Sequence, residues 1–301
     1  MKKKIFAMLL VCTMTFAGSV QAIAMEPTIQ DPGTEGVLIG SFTVNEYDSL
    51  VQSGRATDIA SSSDSSIETA VLERAQLPVE TLLAYGYSND EIAILKAYDG
   101  SPIEDNPQLR GTFANLNGFI YRMDYNDYGS TVRFSWVWDS APVLHGSAIT
   151  DVVTCAWVGV NSTNGPHALR IQSAESICEV DYYQGETFMF RETVDIDDAD
   201  VNTYVNASFN VGSDNVSALS AWAKKGYMDV SVSEAVSVGD LEYSTFVFAY
   251  GHQTLTASAG FSVSASGISI SISPKFGTEQ MYNGSVSTWT NGQIEWNGDA
   301  A

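Results

Sequence analysis

The run "DIDDADVN" places Asp195, Asp197, Asp198 and Asp200 within six positions, with Asn202 just beyond. Such a density of oxygen ligands suits Ca²⁺, the one cofactor the sequence suggests. An EF-hand loop counted from Asp198 needs Gly at 203 and Glu at 209, where Thr203 and Phe209 stand. A solvated acidic turn is the plainer reading, since carboxylates usually face water. Trp136 and Trp138, in "FSWVWDS", could stack on a sugar or clasp a partner if exposed. Both lie in phase with Val132 and Phe134, which argues for a buried position instead.

Hydrolytic chemistry finds no local motif: there is no Ser nucleophile elbow, no HExxH and no Cys-His pair. His145, His167 and His252 are isolated in sequence. A glycosidase-like pair of carboxylates stays open, because such a pair needs only to face across space. Cys12 falls in the leader described below, which leaves Cys155 and Cys178. An even pair in an exported chain is expected to form a disulfide, and closing that loop would stabilise by about 3 kcal/mol.

The stretch "TLTASAGFSVSASGISISIS", residues 254–273, alternates apolar and small polar side chains. Phe261 and Val263 share a face in the first arm; Ile268, Ile270 and Ile272 form the apolar series of the second. A Ser266-Gly267 turn would set 265 opposite 268 and join the two series into one apolar face. A barrel that spans a membrane uses this pattern, with apolar residues toward lipid and Ser/Thr toward water, and so does an ordinary half-buried hairpin. Pro274 and Lys275 cut the second arm short of the roughly 9–11 residues a spanning strand takes.

Elements that would position these groups read as follows. Residues 1–24, with three lysines, an apolar run and Ala22-Ile23-Ala24, fit a secretory signal peptide. Residues 25–66 end in "ASSSDSS" and read as an extended arm or linker. Residues 67–110 carry helical spacing at Ile67, Ala70 and Val71 and a capping box at Ser88 to Glu91, broken by Pro78 and Gly86 into short helices. From 111 to 301 the period becomes two, as in Val201, Thr203, Val205, Ala207, Phe209 and Val211, which predicts an antiparallel β-sandwich or jelly roll.

The chain carries 36 acidic against 14 basic residues, a net charge of −22. That field repels phosphate backbones and anionic headgroups, which disfavours nucleic acid as a partner. No uninterrupted apolar segment after residue 24 approaches the ~20 residues of a membrane helix.

"GYSNDEIAILKAYDGSPIEDNPQLRG" and "FSWVWDSAPVLHGSAITDVVTCAWVG" resemble stretches in secreted proteins of Gram-positive bacteria that carry no assigned activity. The resemblance implies export and a Gram-positive source, and it transfers no functional residue. The expectation is an extracellular, non-enzymatic protein that binds an unknown ligand or surface. A membrane-damaging protein using 254–273, and a secreted hydrolase, are the alternatives.

Overall fold

The computed structural model describes residues 36–52, 67–143, 149–163, 165–200, 203–213, 221–235, 239–253, 261–266, 269–274 and 278–297. The sequence-predicted signal segment lies outside them. The period-two sequence builds two antiparallel sheets. The first runs β1 (Val37–Asn45), β2 (Asn115–Asn126), β3 (Gly129–Trp138), β11 (Trp222–Glu234), β7 (Ile177–Gln184) and β8 (Thr187–Val194), with β6 (Leu169–Ile171) also paired to β11. The second runs β16 (Ile294–Asn297), β15 (Thr278–Trp289), β12 (Leu241–Gln253), β4 (Thr150–Asn161), β10 (Tyr204–Asn210) and β9 (Asp197–Asp200), with β5 (Pro166–His167) paired to β4. A separate two-stranded sheet joins β13 (Phe261–Ser266) to β14 (Ser269–Pro274).

Alternation decides what each strand buries. On β3 Val132, Phe134, Trp136 and Trp138 enter the inter-sheet core, and on β10 Val205, Ala207 and Phe209 do so while Ser208 is exposed. β2 buries Leu116 and Ile120 and leaves Phe119 and Tyr121 half-buried. Aromatic rings cross between the sheets: Phe134 stacks on Phe248 at 5.5 Å between centroids, and Trp136 on Phe209 at 5.5 Å. Such ring pairs add about 0.5–1.5 kcal/mol each to the burial of their area.

The short helices expected between 67 and 110 are α2 (Ile67–Gln76), α3 (Val79–Ala84), α4 (Asn89–Lys96) and α5 (Pro107–Arg110), after α1 (Glu46–Gln52). The capping box forms: Glu91 N donates to Ser88 Oγ, and Ser88 N donates to Glu91 Oε2 at 2.7 Å. Each bond satisfies a backbone donor that the first helical turn leaves open. These helices share a core of Val71, Leu82, Leu95, Leu109 and Phe113. Arg74, buried, donates to the Pro142 and Val143 carbonyls and stacks over Tyr85, which ties α2 to the segment that follows β3.

Three expectations are corrected. Residues 37–52 are not a loose arm: β1 pairs with β2 from Val37↔Arg122 to Asn45↔Asn115, and Val44, Glu46 and Tyr47 are buried. The signal missed there was "GVLIGSFTV", too short and Gly-interrupted to outweigh the polar run that follows. Cys155 and Cys178 form no disulfide; both are free, buried thiols. Cys155 stands on β4 between Val205 and Phe248, and Cys178 on β7 between Met228 and Val194, in opposite sheets. Compartment and an even count say nothing about which strand a cysteine lands on. The hairpin register also differs: Ser266 pairs with Ser269 and Ala265 with Ile270, where the expected turn set 265 opposite 268. Ile268 lies outside the described residues.

Candidate binding cleft and its neighbours

The β2–β3 turn, with Asn126 opposite Gly129, projects Asp127 and Tyr128 from the sheet edge. Asn126 Oδ1 accepts from Tyr128 N at 2.8 Å, the side-chain turn that Asn favours. Gly129 is required at the base, because a Cβ there would sit 2.0 Å from the Val232 carbonyl oxygen. Beside this turn lies a cleft of about 280 Å³ whose walls include Asp124, Tyr125, Tyr128, Gln172, Glu175 and Ser233. Its floor is a chain of hydrogen bonds: Thr131 Oγ1 donates to Ser231 Oγ, and Ser231 Oγ donates to Glu175 Oε2, each at 3.0 Å. Gln172 Nε2 donates to Ser233 Oγ at 2.6 Å.

Two tyrosines stand at the mouth, both exposed. Arg122 covers one face of Tyr125 at 4.2 Å and donates to the Gly292 carbonyl, so that ring is fixed. Tyr128 backs on the loop at Gly239, where an added Cβ would lie 3.6 Å from its ring. The cleft thus offers aromatic surface beside fixed carboxylate, amide and hydroxyl groups. Polar acceptors and donors of this kind match hydroxyl-rich ligands, and ring faces take the apolar side of a sugar.

Histidines and carboxylates gather at two further places. In the interior, Asp151 Oδ1 lies 2.7 Å from His252 Nδ1, while Asp151 Oδ2 accepts from the Tyr250 hydroxyl at 2.5 Å, and Trp138 Nε1 donates to that hydroxyl at 3.1 Å. Glu46 approaches His252 Nε2 at 3.9 Å and accepts from Val143 N at 2.9 Å. Burial pushes the Glu46 carboxyl above its ordinary value, against the pull of His252, and burial with the neighbouring Asp151 pushes the Tyr250 phenol far upward. At the sandwich edge, His167 Nε2 lies 3.1 Å from Glu234 Oε1 and His167 Nδ1 lies 3.2 Å from Asp240 Oδ1.

The residues singled out in sequence fare unevenly. Trp136 and Trp138 are fully buried, which removes them as a surface platform; their phase with Val132 and Phe134 was the reliable signal. The acidic run becomes strand β9, with Asp197 opposite Asn206 and Asp200 opposite Tyr204, and Asp195 is exposed just before it. It is extended where an EF-hand is a tight loop, and the side chains of Asp198 and Asp200 lie outside the described residues. His145 also lies outside them. Burial pushes both the Cys155 and Cys178 thiols upward, so neither is poised as a nucleophile. Sequence reasoning missed the cleft and both histidine clusters. The cleft is assembled within the first sheet from β2, β3, β11 and the connection after β6, and the histidine clusters join residues of separate elements, so each draws on distant positions; scarcity of histidine in an acidic chain was the one available hint.

No family model and no curated protein matches the sequence. Among solved structures, the chain is similar to the crystal structure of ACE19, the collagen binding subdomain of Enterococcus faecalis surface protein ACE, at 11% identity over 52% of this chain and 97% of that one, with a TM-score of 0.22. At that level the likeness carries no argument about function. The fold stands on the chain's own strands: mainly antiparallel β, two sheets and a few short helices.

Proposed function

We propose that the chain is an exported binding protein whose ligand is a neutral, hydroxyl-rich molecule such as a glycan, held in the cleft beside Tyr128. The observation that carries this reading is an exposed, backed tyrosine over a hydrogen-bonded polar floor. The strong negative charge disfavours anionic polymers and leaves uncharged ligands acceptable. Screening the protein against neutral glycans, followed by calorimetry, tests it. Tyr128→Ala should weaken binding by about tenfold or more, the worth of one aromatic anchor. Glycan binding that ignores Tyr128→Ala, or none at all, would remove the cleft from consideration.

A second reading concerns the 254–273 hairpin. β13 and β14 pair only with each other among the described strands, yet they interrupt β12 and β15, which pair as neighbours. They lie against β4, β12 and β15, where Ala156, Val247 and Ala249 are buried on the side away from the inter-sheet core. Continuing the β12–β15 register past Gln253↔Thr278 would set 261 opposite 270 and 263 opposite 268. The present pairing sets 261 opposite 274. The offset is an even number, four, so a re-paired hairpin keeps its apolar and Ser/Thr faces apart. Arms 254–264 and 267–277 would then each hold 11 residues, enough to span, with Lys275 on the polar face. Dye release from neutral liposomes, abolished by Ile270→Asp, is the expected result; intact liposomes at micromolar protein would end this reading.

A further inference from the structure

The segment 161–171 changes sheets. It leaves the second sheet through β5, paired to β4 at Gly159↔His167, and enters the first through β6, paired to β11 at Glu234↔Leu169. His167 therefore sits at the seam, beside the end of β11 and the start of β12. Glu234 ends β11 and Asp240 directly precedes β12, next to Gly239, whose φ of +69° glycine adopts without strain. Glu234 and Asp240, 67 and 73 positions from His167 along the chain, are thus brought to it by topology.

We propose that His167, Glu234 and Asp240 form a divalent transition-metal site, with one imidazole nitrogen, two carboxylates and water in the remaining positions. One ligand atom from each residue lies within 4.8 Å of the other two. Glu234 faces Nε2 of His167 and Asp240 faces Nδ1, so an ion on Nε2 at the usual distances of about 2.0–2.2 Å requires the half-exposed Asp240 carboxylate to swing to the Nε2 side. The carboxylate of Glu234 is fully buried and oriented by Gly239 N at 3.0 Å and Leu241 N at 3.3 Å, so its position is set before any ion arrives. Asp240 is 49% exposed and provides the entry path.

Charge selects a dication over a proton. An imidazolium between two carboxylates leaves a net negative charge beside the buried Glu234 carboxylate, whereas a dication with neutral histidine cancels both. Ligand type selects Zn²⁺, Co²⁺ or Mn²⁺ over Ca²⁺ or Mg²⁺, which prefer all-oxygen shells. The overall negative field concentrates such cations near the protein. Because the ligands come from both sides of the seam, the ion would also fasten the crossing segment to β11 and β12.

Chelator-stripped full-length protein should bind Co²⁺ at a ratio of one, with visible absorption bands that Zn²⁺ displaces, and Zn²⁺ should raise the melting temperature. His167→Gln and Asp240→Asn should each weaken binding more than about tenfold, since even supporting residues of metal sites contribute that much. Asp240→Asn, at a half-exposed position, remains informative if His167→Gln fails to fold. Absence of Co²⁺ and Zn²⁺ binding at about millimolar metal, or wild-type affinity in Asp240→Asn, would overturn the proposal.

Discussion

Glu46, Asp151 and His252 in the interior and Glu234, Asp240 and His167 at the seam are the same inventory, one histidine with two carboxylates. They differ in what surrounds them. In the interior all three residues are at most 2% exposed, and Tyr250, Trp138 and Val143 N supply hydrogen bonds. At the seam Asp240 is half open to water and, among the described residues, backbone amides serve Glu234. A closed network with no route for solvent holds strands together. An open one, with room for exchange, can take a ligand.

The largest effect should come from breaking the interior network. Asp151→Ala leaves Tyr250 and His252 without the carboxylate they share and places that loss among fully buried groups. Removing one partner of a buried charged network costs about 3–5 kcal/mol. Urea unfolding should show a midpoint far below wild type. A loss under about 1 kcal/mol would mean that water reaches Asp151, and the contrast between the clusters would fail.

Glu46 sharpens the same contrast through pH. Its folded carboxyl is raised by burial, so the folded state binds the proton more tightly than the unfolded state. The stability this adds is complete below the unfolded value and is lost as pH rises through the folded value. Glu46→Gln keeps an acceptor for Val143 N and does not titrate. Its stability relative to wild type should therefore rise as pH climbs from about 4.3. A flat or falling difference would mean that attraction to His252 outweighs burial.

The sandwich was legible because alternation is a local signal: Val132 to Trp138 and Val205 to Val211 state their buried face within a few residues. The capping box of α4 was legible for the same reason. The cleft was not, since Tyr128, Gln172, Glu175 and Ser231 come from three separate elements joined by register. β1 was lost because a strand's membership in a sheet depends on a partner, here β2, about 80 positions away. The hairpin register was not legible because the alternation fits more than one pairing of the two arms, and the pairing of 261–266 with 269–274 is set by more than the local Ser-Gly signal.

The smallest effect tests the seam without metal. His167 with its two carboxylates is then an ion pair near the surface, and such pairs contribute about 0–1 kcal/mol. Asp240→Asn in chelator-stripped protein should lie within that range of wild type, because Asp240 is half exposed and the buried Glu234 keeps its backbone amides. Adding Zn²⁺ should separate the two proteins again, since an ion that binds only the folded state stabilises the chain able to hold it. Equal unfolding curves with and without Zn²⁺ would make the seam a weak structural pair. A cost of several kcal/mol without metal would make it a second interior network, despite its access to water.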